Sequence, residues 1–286
     1  MAEVTEVRLR SWEEFPLALD QLTKSQAAKE AANGRKLSEP LFRGLGNSEW
    51  TLETTLERSV DAFPTETLLS YYRRIARSKP VVESLINRSW DEIPEWPEFD
   101  KLLQDESANW IDRILSQNSA IYQYLVYLRH HGFPSPILDW TASPFIAAMF
   151  AFDAMDRAAT NVLIYVYVRD SLQSFGSDAH LFIAGPYLRT HPRHYLQQSR
   201  YSLCVQLRAE RQGHHPHVDY HFLSHNEALI QNVNDDLIVK IVVPASERKR
   251  ALMQLDSMNL NPYSLYGSEE SLIRTIARRE MLFKRD

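Results

Sequence analysis

The 286-residue chain holds one cysteine, so it cannot form a disulfide within itself. That residue, Cys204, lies in the apolar run YSLCVQL and reads as a small core residue rather than a nucleophile. Only eight glycines occur, and neither a P-loop nor a GxGxxG pattern is among them. A glycine-rich phosphate cradle is therefore excluded, as is the HExxH helix of a zinc hydrolase, whose pattern is missing too. No apolar stretch approaches the roughly 18 residues of a membrane span. The opening MAEVTEVRLRSWEEF carries no apolar signal segment, so the chain is expected in the cytoplasm, away from membranes. Excess positive charge is lacking as well. A net charge of -5 and a pI near 6.1 do not supply the basic field of a general nucleic-acid coat, which leaves room only for a local basic cleft.

What is present suits a packed core: 44% of residues are hydrophobic and 24% charged. About twenty residues before Lys24, WEEFPLALDQL among them, predict a short strand and helix, and KSQAAKEAANGRKLSEP after them a polar loop. From residue 65 to 131 the chain reads as helical. PTETLLSYYRRIARS places Leu68, Leu69, Tyr72, Ile75 and Ala76 on one face. WPEFDKLLQDE predicts a second helix. SANWIDRILSQNSAIYQYLVYLRHH predicts a long one, with Trp110, Ile114, Ile121, Leu125 and Leu128 repeating along it. SPFIAAMFAFDAM restarts a helix, with Ser143 as N-cap and Pro144 in the first turn; being apolar nearly all round, it should be buried. NVLIYVYV, RYSLCVQL and DLIVKIVV read as strands. Two helices follow, with Ser246 and Ser268 as expected caps. Helices first and strands later point to α+β rather than a regular βαβ repeat.

Three places could carry chemistry. In LFRGLG, Arg43 stands at a strand end beside Gly44, which lets another segment come close. A guanidinium there suits a phosphate or carboxylate ligand, and equally a buried acid of the protein itself. In LDWTASP, Asp139, Thr141 and Ser143 precede the buried helix. They serve either a ligand at its N-terminus or simply the cap and turn, while Trp140 reads as packing. Histidines cluster at His130 and His131, where a helix ends, and again in RQGHHPHVDYHFLSHNE. That second segment contains Gly213 and Pro216 and reads as a loop. It lacks the cysteine or carboxylate pattern of a zinc site, so no metal is expected, and a histidine-based hydrolase or nuclease is the third-ranked reading.

LFRGLGNSEWTLETTLER resembles the opening block of the FRG domain family. LRHHGFPSPILDWTASPFIAAMFAF resembles its second block, with His130 retained, Arg129 where Gln is common and His131 where Tyr is common. RYSLCVQL and the stretch from DLIVKIVV to GSEESL resemble the final part. The likeness divides the chain into a strand, helix and polar loop over 1–38, the FRG region over 39–272 with its helical part at about 65–131, and a helix end over 273–286. These blocks also look like those of ADP-ribosyltransferases of the Arg-Ser-Glu type. That resemblance implies an α+β fold with an ADP-ribosyltransferase-like split β-sheet core and a helical insertion. It implies NAD as cofactor, with Arg43 and Gly44 at the phosphates and His130, Asp139, Thr141 and Ser143 completing the binding site. The third catalytic element is Glu227 in SHNEALI or, as its rival, Gln206. With the glutamate in place, the implied activity is NAD-dependent ADP-ribosyl transfer or NAD glycohydrolysis, of a toxin or phage-defence kind, on a protein or nucleic-acid target. With Gln206 there, the acid is missing, and the fold serves as a nucleotide or nucleic-acid binding module.

Overall fold

The computed structural model describes residues 4–59, 66–87, 89–104, 119–170, 179–188, 190–212, 215–231 and 236–284. Strand β1 (Val4–Arg8) is followed by helix α1 (Phe15–Asn33) and strand β2 (Leu41–Leu45). The helical part comprises α2 (Leu68–Ile86), α3 (Trp96–Gln104) and α4 (Ala120–His130). Then come β3 (Ile137–Thr141), α5 (Pro144–Asp153), β4 (Asn161–Val168), β5 (Ala179–Ala184) and the single turn α6 (Arg193–Leu196). Two long strands follow, β6 (Ser199–Gln212) and β7 (His215–Phe222), then α7 (His225–Gln231) and β8 (Leu237–Pro244). Helices α8 (Arg248–Ser257), α9 (Pro262–Tyr266) and α10 (Glu269–Arg278) close the chain.

The strands form one open mixed sheet in the order β1-β8-β4-β2-β3-β6-β5, with β7 also paired to β6. Among the described strands only β1 and β8 run parallel; the other pairs are antiparallel. This is the α+β arrangement expected from the order of elements. Alternation along β4 explains how the sheet holds its layers. Val162, Ile164, Val166 and Val168 face the cluster built from α1, α5 and α8. Leu163, Tyr165 and Tyr167 face the opposite cluster with Leu41, Trp140 and Ile238. Each such side chain contributes roughly 1.5–3 kcal/mol on burial. A third cluster joins α2, α3 and α4 to Leu203, Val205 and Phe222 of β6 and β7.

Several local expectations hold. Leu68, Leu69, Tyr72 and Ile75 of α2 are buried on one face. The Oγ atoms of Ser143 and Ser268 accept the Ile146 and Ser271 amides as caps. Cys204 is buried, and burial pushes its thiol well up, as suits a core residue. No helix among the described residues is long and apolar enough to cross a membrane.

Four expectations fail. The long helix expected through SANWIDRILSQNSAIYQYLVYLRHH is interrupted at Ser119, whose extended backbone and side chain cap α4 at Ala120. The polar stretch after Leu22 is not a loop until Gly34, because Lys24–Asn33 continues α1. Alanine, lysine and glutamate are strong helix formers, and Gly34, at φ 65°, supplies the left-handed C-cap. The histidine-rich segment is not a loop either. Its second half, HPHVDYHF, alternates like a strand and pairs with β6 from His215↔Gln212 to Phe222↔Val205. Ser246 lies in a 3-10 turn (Ala245–Glu247) rather than capping α8, whose N-cap is Glu247. Thr65, Trp110, Ile114 and His214 lie outside the described residues.

Candidate functional site

The sheet comes apart where β2 meets β3. Only Phe42↔Thr141 pair across them, although β2 pairs with β4 over five residues. The Arg43 side chain bridges the gap instead, its Nη1 donating to the Asp139 carbonyl at 2.6 Å. Beside this opening lies a cavity of about 310 Å³. Arg43, Gly44, Asp139 and Thr141 line it from the strands, and Arg129 and His130 from the end of α4. Phe150 and Asp153 of α5, Arg193 and Gln197 by α6, Ser199 and Tyr266 also line it.

Gly44 explains how α5 reaches this wall. A Cβ on Gly44 would stand 1.9 Å from the Ala147 carbonyl oxygen and 2.7 Å from the Ala151 nitrogen. The small residues of AAMFA and the missing side chain on β2 together let helix and strand touch backbone to backbone.

The charges do not balance. The Asp139 carboxylate pairs with Arg129 at 2.8 Å, and Arg43 lies in the same field. Two guanidiniums thus share one carboxylate. Asp153 is likewise held by Arg274, at 2.7 Å, and by Arg278. Arg193 adds a third cation on the wall. It stands 5.5 Å over the Tyr266 ring, while its Nε donates to the Tyr266 carbonyl at 3.3 Å. Burial pulls the Arg43 guanidinium down to about 10; Arg129 and Arg58 push the same way and Asp139 opposes. At neutral pH Arg43 stays charged. Three buried polar atoms in this cluster lack a partner among the described residues: Arg43 Nε, Arg129 Nε and Asp139 Oδ1. Orphaned donors and acceptors of this kind each cost roughly 1–3 kcal/mol unless a ligand meets them.

The histidines of the region are held neutral. Burial brings His130 down to about 4, with Asp139 opposing. His131, His191 and His194 are lowered by burial as well. Behind the sheet gap, Trp140 is buried and its Nε1 donates to Ser202 Oγ at 2.7 Å. That hydroxyl lies 2.9 Å from His225 Nε2. Burial and the nearby Arg43 bring His225 down to about 3. A consequence follows for stability. The unfolded chain binds protons at His130 and His225 near the ordinary 6.5, while the folded chain does so only near 4 and 3. Between those values these two rings hold more protons in the unfolded state, so the stability they contribute is full above pH 6.5 and falls as the pH drops toward 4. Urea denaturation across pH 4–7.5 should show this, with a shallower slope in His225→Gln than in the parent. An equal slope in His225→Gln and the parent would contradict it.

The cavity brings together five of the eight residues expected for the site: Arg43, Gly44, His130, Asp139 and Thr141. Ser143, Glu227 and Gln206 are not among its lining residues. Ser143 caps α5, and Thr141 Oγ1 accepts the Ser143 amide at 3.0 Å. Glu227 is exposed in the first turn of α7. Gln206 lies on β6, and its Oε1 accepts from Arg208. Sequence reasoning passed over Arg129, Asp153, Arg193 and Tyr266. Arg129 had a signal, as the charged neighbour of His130 at a helix end. The other three had none beyond their residue types.

No group of described histidine, cysteine or acidic residues is placed to hold a metal.

Residues 38–160 match the family model of the FRG domain. Searches of curated proteins and of solved structures gave no match. The FRG match contains Arg43, Gly44, Arg129, His130, Asp139, Thr141, Phe150 and Asp153. Arg193, Gln197, Ser199 and Tyr266 come from beyond it. The FRG segment thus supplies the sheet gap with Arg43, Arg129, Asp139 and Phe150, and the later chain adds Arg193 and Tyr266.

Proposed function

We propose that the cavity binds a nucleotide through its phosphates, with NAD or its ADP-ribose portion as the ligand. The observation that carries this is the excess of guanidinium over carboxylate at a partly enclosed site. Arg43 and Arg129 share Asp139, and each keeps an unpartnered Nε. A diphosphate supplies the missing negative charge and accepts from both forks. Asp139 Oδ1 remains as an acceptor for a sugar hydroxyl. Tyr266 and Phe150, with ring centroids 6.1 Å apart, offer an aromatic face for a base. The volume lies at the low end of ligand cavities, near 300 Å³ in order of magnitude. The split between β2 and β3 is consistent with the ADP-ribosyltransferase-like core that the motifs imply.

Binding is favoured over transfer by a specific point. ADP-ribosyl transfer calls for a free carboxylate at the anomeric carbon of the ribose. Asp139 and Asp153, the carboxylates lining the cavity, are each already paired with arginine. Neither Glu227 nor Gln206 lines it. The expected result with purified protein is a rise in melting temperature with NAD and ADP-ribose, little with adenosine, and no nicotinamide release above background. Nicotinamide release that Glu227→Gln abolishes would reinstate the transferase. An unchanged melting temperature with all three compounds would refute the nucleotide reading.

A further inference from the structure

The hydrogen bonds behind His130 fix which of its nitrogens carries the proton. They can be followed from the far end. The Pro186 carbonyl can only accept, so His194 Nε2, 2.6 Å away, is the donor. His194 is buried and its basicity is lowered by that burial, so the ring is neutral and its Nδ1 has no proton. Nδ1 therefore accepts from the Tyr201 hydroxyl at 3.1 Å. That uses the only proton of the hydroxyl. Toward His130 the Tyr201 oxygen must accept, and His130 Nε2, at 2.7 Å, must donate. A neutral His130 then holds its lone pair on Nδ1. This ring lines the cavity, and among the described residues Nδ1 has no hydrogen-bond partner.

We propose that His130 Nδ1 is the acceptor for a ribose hydroxyl of the bound nucleotide, and so selects ribonucleotides over their 2′-deoxy counterparts. The assignment rests on the nucleotide reading above. A lone pair cannot take a hydrogen bond from an ionised phosphate and repels its oxygens. His130 thus marks where the sugar lies, while Arg43, Arg129 and Arg193 mark where the phosphates lie. Four groups set the field at the ring: Asp139, His191, Arg129 and Arg193. His191 is itself oriented, its Nδ1 accepting the Arg193 amide at 3.2 Å. The chain from Pro186 to His130 crosses from the loop after β5, through α6 and β6, to α4. Residues far apart in sequence thereby hold one tautomer in place. Tyr201 is a positioning residue and His130 the one that touches ligand.

The test is calorimetric, with NAD and two NAD analogues, one lacking the 2′-hydroxyl of the adenosine ribose and one lacking that of the nicotinamide ribose. The parent protein should bind one analogue at least tenfold more weakly than NAD, in line with the loss of a hydroxyl that met the Nδ1 acceptor. His130→Leu should bind NAD and that analogue within twofold of each other. His130→Asn, whose Oδ1 can stand where Nδ1 stood, should retain part of the preference. Tyr201→Phe, which removes the acceptor for His130 Nε2, should lessen the preference; a merely structural role would weaken all three ligands alike. Equal binding of NAD and both analogues by the parent would overturn the assignment while leaving the nucleotide reading intact. Failure of NAD to bind at all would remove both.

Discussion

Arg43→Ala should weaken binding of NAD and ADP-ribose by about a hundredfold or more, equivalent to about 2.7 kcal/mol, the upper part of the range for hydrogen bonds to charged groups. The reason lies in the charge count at the sheet gap. Arg43 bridges β2 to β3 through the Asp139 carbonyl with Nη1, while its Nε is buried with no protein partner. Asp139 is already committed to Arg129. The unmatched charge is thus built into the protein before any ligand arrives. Arg43→Lys should fall between the two, since an ammonium keeps the charge and loses the fork. Titration calorimetry of the three proteins decides it. Binding by Arg43→Ala within threefold of the parent would place the phosphates elsewhere.

Gly44→Ala should cost stability rather than affinity alone. The added methyl would meet the Ala147 carbonyl oxygen at 1.9 Å, and this is backbone that cannot rotate aside. Either α5 lifts from β2, opening the cluster around Phe42, Ile146 and Ile164, or the strand shifts and its pairing with β4 is lost. We expect a loss of about 3 kcal/mol or more, at or beyond the usual range for overpacking, read as a lower urea midpoint or as insoluble expression. Any folded fraction should bind nucleotide poorly, because α5 carries Phe150 and Asp153 into the wall. A midpoint unchanged from the parent would contradict the backbone contact.

Much of this arrangement was legible in the sequence, and particular residues show why the rest was not. NVLIYVYV read as a strand because it is rich in branched and aromatic residues, and it is β4. Ser143 and Pro144 marked the start of α5 because capping is a local event. Arg43, Gly44, His130, Asp139 and Thr141 were legible as candidates through their motifs, and the fold gathers them. Periodicity fails at Lys24–Asn33, where a polar stretch without an apolar stripe is helical by propensity alone. It fails again at HPHVDYHF, where a polar alternation forms β7 because β6 is there to pair with it. The aromatic wall was beyond reach for another reason. Tyr266 meets Arg193 and Phe150 only through tertiary packing, with no spacing that announces it. The absence of Glu227 from the cavity is of the same kind, since α7 sets that side chain at the surface.

The most direct test of the phosphate site is a crystal structure of the protein with ADP-ribose. The account predicts the diphosphate in the cavity between β2 and β3, with its oxygens within hydrogen-bond distance of Arg43 Nε and Arg129. ADP-ribose bound at another surface, or with its phosphates turned away from Arg43, would contradict it.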